Sequence, residues 1–196
     1  GEYHTASKIS LESIKAAKKG LRNLVEYDDK GGEYAWKVLS KTLTYAASLV
    51  PEITDTIVNV DLSMKNGFLW KKGPFEMLDN LGPSWFASRI TDEGMEVPEL
   101  LKEVAEGKFY EEKGKDILYF RIDGKYSKIS KPEGYLTATD VKRGQKPIFR
   151  NSSASLWDMD DNIILAEFHS KMNSMDPLIM EALSEAADQC ESGNYS

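Results

Sequence analysis

Apolar residues recur at helical spacing through the first half of the chain. The clearest stripe runs along Glu33–Val50, where polar residues occupy the opposite face. Its apolar positions are Trp36, Leu39, Leu43, Ala46 or Ala47, and Val50. A weaker stripe along Leu11–Glu26 is interrupted by Gly20. The pattern predicts a helix in each stretch, separated by a polar turn over Tyr27–Gly32.

A second apolar stripe follows Pro51. Its members are Ile53, Ile57, Val60 and Met64. The spacing predicts a helix that Thr54 or Asp55 caps and that ends before Gly67. Because only a short link separates it from the preceding helix, we expect the two helices to pack antiparallel.

Three prolines are expected to open shorter helices. Proline lacks the N–H group that no helix start can satisfy, so Pro74, Pro83 and Pro98 each suit a first helical position. Gly107 is predicted to close the last of these helices in a left-handed conformation. Together with the longer helices, they predict a compact bundle of about 100 residues.

The pattern changes from helical to β-type beyond Gly107. Ile117–Ile122 is rich in β-branched and aromatic residues, Asp123–Gly124 favours a two-residue type I′ turn, and Lys125–Ile129 returns. These stretches predict a hairpin. Residues 130–150 contain several prolines and glycines among charged residues, and we interpret them as a linker between domains.

The last third of the chain predicts two strands and a helix. Ala154–Met159 and Ile163–His169 have the composition of strands and are separated by a short acidic turn. Asp176 is a suitable cap for a helix with Pro177 at its first position, and Gly193 is expected to end that helix.

Composition narrows the class of protein. The 196 residues are 41% hydrophobic, which is ample for a packed core, and the net charge of −7 argues against a nucleic-acid partner. A single cysteine, Cys190, excludes an internal disulfide and fits a reducing compartment. No apolar run approaches the roughly 18 residues of a membrane span. We therefore expect a cytoplasmic protein with no membrane partner.

Two groups of residues superficially suggest chemistry. Asp158, Asp160 and Asn162 match the first ligands of a calcium loop, but Ile163 replaces the required glycine and His169 the required glutamate. We interpret this segment as a hairpin turn, and no metal site is predicted.

A possible acid–base pair lies on the second strand of this hairpin. Glu167 and His169 share a face, which is typical of the wet side of an edge strand as well as of a catalytic pair. The remaining histidine, His4, is expected to be exposed near the terminus. No catalytic residue is predicted.

The stretch Gly67–Asp79 is expected to organise the bundle, and it carries a family resemblance. Gly67–Glu76 reads G-F-L-W-K-K-G-P-F-E, and within Glu33–Gly82 it resembles the C-terminal helical domain of the 3-hydroxyacyl-CoA dehydrogenases. That family begins the domain with an N-R-[IL] element that reaches the acyl-CoA, whereas Tyr34–Lys37 stands in this region. The resemblance therefore implies the second of two helical copies, with a structural role and no NAD site of its own.

The tail resembles a second family. Ser153–Ala187 is similar to the opening strands and first helix of the crotonase, or enoyl-CoA hydratase, family. In that family the turn corresponding to Lys171–Met175 lies along coenzyme A. Asn173 and Met175 match the family pattern, and Ser174 replaces its usual alanine. The resemblance implies that the CoA contacts fall on Lys171, Met172 and Ser174.

The two resemblances together imply a mainly α fold in three parts. Residues 1–110 would form a helical bundle of the dehydrogenase C-terminal type, and 111–150 a hairpin and linker. Residues 151–196 would form a strand–strand–helix fragment of a crotonase fold. The chain would be a non-catalytic piece of a bifunctional enzyme that hydrates enoyl-CoA and oxidises 3-hydroxyacyl-CoA with NAD.

Expectations about partners follow from this interpretation. The chain would pair with the remaining domains of its parent and help to wall the acyl-CoA cleft, and its tail could form a dimer because a small hairpin with one helix is marginal alone. The alternative is a stand-alone acyl-CoA-binding or interaction module without enzymatic activity. Such a module would use the cleft near Trp70 and Phe75.

Overall fold

The computed structural model describes residues 11–135, 137–193 and 195, so the expectation for His4 lies outside it. About 48% of the described residues are helical, and two small antiparallel sheets accompany the helices, in agreement with a mainly α composition. The chain forms two compact units. The first comprises the described residues up to Glu111 together with Ile117–Ile129, and the second comprises Glu112–Asp116 and the residues from Ser130 onwards.

Seven helices precede the first sheet in the described part of the chain. They are α1 (Glu12–Ala16), α2 (Leu21–Val25), α3 (Lys30–Ser48), α4 (Ile57–Phe68), α5 (Pro74–Leu81), α6 (Pro83–Asp92) and α7 (Glu99–Val104). The predicted starts at Pro74 and Pro83 are confirmed, and α5 packs against α2, α3, α4 and α6. Helix α5, which begins at Pro74 in the G-P-F-E sequence of the family resemblance, therefore lies at the centre of the bundle.

Local backbone chemistry shifts several predicted helix ends. The predicted helix over Leu11–Glu26 is two short helices, because Gly20 adopts a φ of 151° between them. Helix α3 begins at Lys30, three residues earlier than predicted, because the Asp29 side chain accepts from the backbone N–H groups of Gly31 and Gly32. A side chain at Gly32 would clash with the backbone, since its Cβ would lie 2.1 Å from the carbonyl oxygen of Tyr27.

Three further expectations in the first unit are corrected. Thr56 caps α4, instead of Thr54 or Asp55, and α4 continues through Gly67 to Phe68. The left-handed residue after α4 is Leu69, with a φ of 55°. Gly107 does not close α7 in a left-handed conformation, because Ala105 is the residue with positive φ there.

The core of the first unit is built from large apolar side chains of α3 to α7 and the sheet. Its fully buried members include Leu43, Ile57, Phe75, Leu78, Leu81, Phe86, Ile90, Leu101 and Phe109. Phe75 and Phe109 meet edge to face at 4.9 Å between ring centroids, and Trp36 meets Phe86 in the same way at 5.6 Å. Helix α5 contributes three of these buried residues, which accounts for its central position.

The predicted hairpin is confirmed, but its turn differs. The first sheet has the order β1 (Tyr110–Lys113), β2 (Asp116–Phe120), β3 (Tyr126–Lys128). Gly124 has positive φ whereas Asp123 does not, and the Gly124 N–H donates to the Arg121 carbonyl at 3.0 Å. This arrangement is a type I turn with a left-handed glycine instead of type I′, which needs positive φ at both central residues.

The second unit combines a small sheet with two helices and a single 3₁₀ turn, within the residues described. Its elements are α8 (Ala138–Lys142), β4 (Phe149–Arg150), β5 (Ala154–Asp158), β6 (Ile164–Phe168), the 3₁₀ turn Lys171–Asn173 and α9 (Pro177–Glu191). The sheet order β4-β5-β6 makes β6 an edge strand. Residues 130–150, interpreted as a linker, contain α8 and bury Asp140 and Val141 in this unit.

The apolar core of the second unit is small. One cluster holds the buried residues Ala154, Ile179 and Ala182, with Phe149, Phe168 and Leu183 partly buried around them, and Val141, Leu156 and Trp157 are the other buried apolar residues among those described in this unit. Helix α9 packs on all three strands of the sheet and has the predicted Asp176 cap, whose side chain accepts from the N–H of Ile179 at 2.9 Å. We therefore expect polar contacts to contribute much of the interaction that holds this unit in a single conformation.

Candidate functional site

The signature segment between α4 and α5 is held by a carboxylate from α4. Asp61 is 2% exposed, and its two oxygens accept from the backbone N–H groups of Phe75 at 2.9 Å and Glu76 at 3.1 Å. These donors belong to the first turn of α5, where no intrahelical acceptor exists. Asp61 therefore acts as a helix cap from 14 residues away in the chain.

Gly73 has no room for a side chain in this arrangement. A Cβ at Gly73 would lie 2.2 Å from Cγ of Asp61. The backbone N–H of Gly73 donates to Glu76 at 2.8 Å, and Lys65 pairs with the other oxygen of Glu76 at 2.6 Å. The glycine and glutamate of the signature thus have a folding role, and their positions require no catalytic explanation.

Burial perturbs the acids around this helix start. It raises the pKa of Asp61 to about 6, against the opposing effect of the two backbone donors. Burial also raises the pKa of Asp79 to about 6, while that carboxylate accepts from the N–H groups of Phe109 and Tyr110. The pKa of Tyr110, whose hydroxyl bonds to Asp61, is raised far above its ordinary value by the same burial. These groups form a buried network that ties α4, α5 and β1 together.

A cleft opens beside the same segment on the first unit. Its volume is about 550 Å³, and its walls are mostly apolar. The apolar walls include Leu21, Leu24, Trp70 and Met77. Lys71 and Lys72 line it as well, and Nζ of Lys72 donates to Asn80 at 2.8 Å. This is called the Trp70 cleft below.

The sheet of the second unit contains a hydroxyl–imidazole contact that resembles a nucleophile and its base. Oγ of Ser155 lies 2.8 Å from Nε2 of His169, and the Trp157 indole N–H donates to the same hydroxyl at 2.8 Å. Ser155 has no exposed surface, so no substrate can reach its oxygen. Its antiparallel partner Glu167 contacts Ser155 and pairs with Lys142 at 2.5 Å, and this lysine holds the pKa of Glu167 below its ordinary value.

This geometry favours the structural interpretation of Glu167 and His169. A catalytic triad places its acid on the far nitrogen of the imidazole, whereas Glu167 contacts the serine and a lysine. The two residues do share the face of an edge strand, as predicted. The reactive-looking groups of β5 and β6 are therefore engaged in holding the two strands and α8 together.

The three residues predicted to contact CoA lie together on one exposed turn. Lys171 and Met172 fall in the 3₁₀ turn, and Ser174 follows it, with its hydroxyl donating to the Lys171 carbonyl at 3.0 Å. Met172 is 91% exposed, with a φ of 60°. Their contact with CoA stays a prediction.

The acidic turn between β5 and β6 is a tight reversal in which Asp160, Asp161 and Asn162 all have positive φ. Asp160 pairs with Lys115 at 3.4 Å, and Asp158 accepts from the Tyr195 hydroxyl at 3.1 Å. Within the described ranges, no group of three or more His, Cys, Asp or Glu residues is arranged to hold a metal ion. None of the helices in these ranges is long and apolar enough to cross a membrane.

The described residues do not fit a dinucleotide cofactor. An NAD site of the common type needs a parallel strand–helix–strand unit with a G-x-G-x-x-G turn after its first strand. Both sheets of the described chain are antiparallel, and the adjacent glycines Gly31 and Gly32 lie inside the first turn of α3. No step of NAD chemistry is therefore assigned to these residues.

Sequence reasoning missed two carboxylates of the first unit, of which Asp61 is buried and Asp79 is partly buried. Asp61 and Asp79 lie on helices, and an acidic residue in a helical sequence is usually interpreted as part of the solvent-exposed face. The backbone groups that they contact are 14 to 31 residues away in the chain. A local signal was the helix start at Gly73–Pro74, because a glycine at the N-cap has no side chain to accept from the N–H groups of the first turn. A helix start without its own cap requires an acceptor from elsewhere in the fold.

Three curated proteins that are similar to this chain have names that indicate an enzyme activity. The chain is 31% identical over 198 residues to the "Probable 3-hydroxyacyl-CoA dehydrogenase" of Bacillus subtilis (strain 168). This alignment covers 96% of the chain and 25% of that protein. It is 27% identical over 187 residues to the "Putative fatty acid oxidation complex trifunctional enzyme" of Rickettsia felis, covering 93% of the chain and 23% of that protein. A Rickettsia prowazekii protein of the same name is 25% identical over 194 residues.

The extent of these matches limits what they establish. The chain spans about a quarter of the length of the curated relatives it matches. No protein-family model matches it. No solved structure matches it either. The matches do confirm the dehydrogenase resemblance in its coarser form: the homologues of this chain are named as a 3-hydroxyacyl-CoA dehydrogenase and as fatty-acid oxidation enzymes.

Proposed function

We propose that this chain is a non-catalytic scaffold within a longer 3-hydroxyacyl-CoA dehydrogenase of fatty-acid oxidation. The parent oxidises a 3-hydroxyacyl-CoA to the 3-ketoacyl-CoA with NAD, which its other domains bind. The present residues pair with those domains and form part of the wall of the acyl-CoA cleft. The observation that carries the proposal is the 31% identity to a dehydrogenase along almost the whole chain, which nevertheless covers only a quarter of that protein.

The non-catalytic role is supported by the contacts that the polar side chains already make within the fold. Asp61 and Asp79 hold backbone N–H groups, and Ser155 is closed to solvent. Glu167 is neutralised by Lys142. A general base must reach a proton of the substrate, and these carboxylates are already committed to contacts within the fold.

A finer proposal concerns the second unit. We assign Ser153–Ala187 to the beginning of a crotonase-type hydratase domain, in which the parent would add water to a trans-2-enoyl-CoA. The order of strand, strand, turn and helix in β5, β6 and α9 supports this assignment. In the parent, Lys171, Met172 and Ser174 would then lie along the bound coenzyme A.

The proposal also concerns the surfaces of this unit that no other part of the unit covers. Edge strand β6 and the exposed methionines Met172, Met175 and Met180 are surfaces that the remainder of a hydratase domain would cover. In the isolated chain we expect them to promote dimerisation. Light scattering should then give twice the mass of 22.0 kDa, and a monomer at high concentration would contradict it.

The dehydrogenase proposal is tested by comparing the chain with its longer parent polypeptide. With 3-hydroxybutyryl-CoA and NAD, the parent is expected to form NADH, and the isolated chain is expected to form none. Saturable NADH formation by the isolated chain would contradict the scaffold role. A parent that oxidises no 3-hydroxyacyl-CoA of any chain length would contradict the dehydrogenase assignment.

A further inference from the structure

The Trp70 cleft has the form of a ligand site that the scaffold role does not use. Its volume of about 550 Å³ lies within the range of roughly 300–1,000 Å³ of small-molecule sites. Its apolar lining comes from Leu21 and Leu24 of α2, from Trp70 and from Met77 of α5. All of these residues belong to the first compact unit. The cleft therefore offers an alkyl group a mostly apolar surface.

Two lysines line this apolar surface, and two more are adjacent to lining residues in the chain. Lys71 and Lys72 line the cleft directly, and the exposed residues Lys18 and Lys19 lie in the chain between the lining residues Ala17 and Gly20. Among the described residues, none of the four lysines forms an ion pair with a carboxylate, although the chain as a whole carries a net charge of −7. A local excess of positive charge on an acidic protein attracts an anion.

The backbone fixes the position of Lys71 and Lys72. The N–H of Trp70 donates to the Met64 carbonyl at 3.4 Å, and Gly73 is packed against Asp61 without space for a Cβ. Both anchors lie next to the lysines in the chain, so the backbone that carries the two cations is held beside the cleft. Pre-organised charges lose less entropy when an anion binds.

We infer that the Trp70 cleft binds an acyl chain attached to a phosphorylated head group, with the chain against Trp70 and Met77 and the phosphates near the lysines. The choice of an acyl-CoA as that ligand rests on the proposed function. A ligand with only one of the two chemistries would make only half of the contacts. A purely apolar ligand would not contact the lysines with a charge, and a free phosphate would leave the apolar walls exposed to water. The ligand must combine both chemistries.

Isothermal titration calorimetry of the full chain with dodecanoyl-CoA tests the inference. Saturable binding is expected, with coenzyme A alone and dodecanoate each at least about tenfold weaker, because each lacks one of the two contacts. Affinity should fall as ionic strength rises from about 0.01 to about 0.15 M, since the ion pairs lie near solvent. Dodecanoate that binds as tightly as dodecanoyl-CoA would exclude the phosphorylated head group.

Matched double variants locate the site. Lys71→Ala with Lys72→Ala should weaken dodecanoyl-CoA binding by about three- to tenfold, the size expected for two exposed ion pairs. Lys30→Ala with Lys41→Ala removes the same charge from exposed positions of α3 outside the cleft, and should leave the affinity unchanged. Equal losses from both pairs would mean non-specific attraction and would overturn the inference, as would the absence of saturable binding.

A variant in the apolar wall separates cleft binding from binding on the lysines alone. Ala17 is exposed and lines the cleft, so Ala17→Gln, which adds a polar group without a charge, is expected to leave folding intact, as circular dichroism would verify. It should weaken dodecanoyl-CoA binding and leave the weak binding of coenzyme A nearly unchanged. A parent enzyme that oxidises 3-hydroxyacyl-CoA while the chain binds no dodecanoyl-CoA would reject this inference alone.

Discussion

The two compact units each bury a carboxylate, and they stabilise it in different ways. In the first unit, Asp61 accepts hydrogen bonds from two backbone N–H groups and from the Tyr110 hydroxyl, all of which are neutral donors. In the second unit, Asp140 is 8% exposed and contacts Lys131, Arg143 and Thr137. The lysine holds the pKa of Asp140 far below its ordinary value, whereas burial raises the pKa of Asp61 to about 6.

The difference follows from the size of the apolar core in each unit. The first unit has a large apolar core, and Asp61 positions the start of α5 within it at an electrostatic cost. The second unit has a small apolar core and uses charged and hydroxyl contacts between α8 and the sheet, such as Lys142 with Glu167. A hydrophobic pattern is therefore informative about the first unit and much less so about the second.

Removing an apolar group from the first core should have the largest effect. Phe75→Ala, at a fully buried position, is expected to lower the free energy of unfolding by about 3–5 kcal/mol because it leaves a cavity beside Phe109. Urea denaturation followed by tryptophan fluorescence would measure it. The matched control is Phe68→Ala, seven residues earlier and 71% exposed, which should change stability by less than about 0.5 kcal/mol.

Removing the cap from α5 should have the next largest effect. Asp61→Ala leaves the N–H groups of Phe75 and Glu76 without an acceptor and should cost about 2–3 kcal/mol at neutral pH. Asp55→Ala, at an exposed position before α4, is the control and should be nearly neutral. If both variants were equally stable in urea, the capping role of Asp61 would be wrong.

The charged network of the second unit should be less costly to weaken. Asp140→Asn keeps the volume of the side chain but removes the charge facing Lys131 and Arg143. About 1–2 kcal/mol is expected, because Lys131 is partly exposed to solvent whereas Arg143 is much less exposed. Fluorescence of Trp157 reports on this unit during denaturation. Asp188→Asn, exposed on α9, is the control, and a larger loss from it than from Asp140→Asn would contradict the account.

The opposite pKa shifts predict opposite pH dependences for the two units. Asp61 and Asp79 bind protons more tightly in the fold, so the first unit should lose stability as pH rises from 3.8 towards about 6. Asp140 binds its proton less tightly, so the second unit should lose stability as pH falls below 3.8. Each proton contributes at most about 1.4 kcal/mol per pH unit.

Denaturation at several pH values between 3 and 7 would separate these trends. Trp36, Trp70 and Trp85 lie in the first unit and Trp157 lies in the second, so comparison with a Trp157→Phe variant separates the two signals. Asp61→Asn should flatten the slope of the first unit above pH 4 without changing that of the second. Parallel pH profiles in the two units would break the comparison.

The sequence predicted the parts of the fold that depend on periodicity and on single-residue backbone preferences. The stripe of α3, the prolines that open α5, α6 and α9, and the hairpin around Gly124 are all present. Each of these signals acts within a few residues of the chain. A pattern of this kind is reliable because it does not depend on distant partners.

The features that were not predicted are either very short elements or contacts between residues far apart in the chain. Helix α8 has only five residues, although its capping box from Thr137 to Asp140 could have indicated it. Strand β4, with two residues, has no pattern to detect. The cap that Asp61 provides could not be predicted, because no local spacing connects an acid in α4 with the backbone of α5.

The most direct test of the scaffold role is to remove the most reactive-looking pair from the longer parent enzyme. His169→Ala and Glu167→Gln alter the imidazole and carboxylate beside Ser155 while leaving the apolar core intact. The kcat for oxidation of 3-hydroxybutyryl-CoA with NAD, measured on folded enzyme, is predicted to stay within about twofold of the unaltered parent. A fall of about a hundredfold or more, with an unchanged free energy of unfolding, would show that these residues act in catalysis and would contradict the scaffold role.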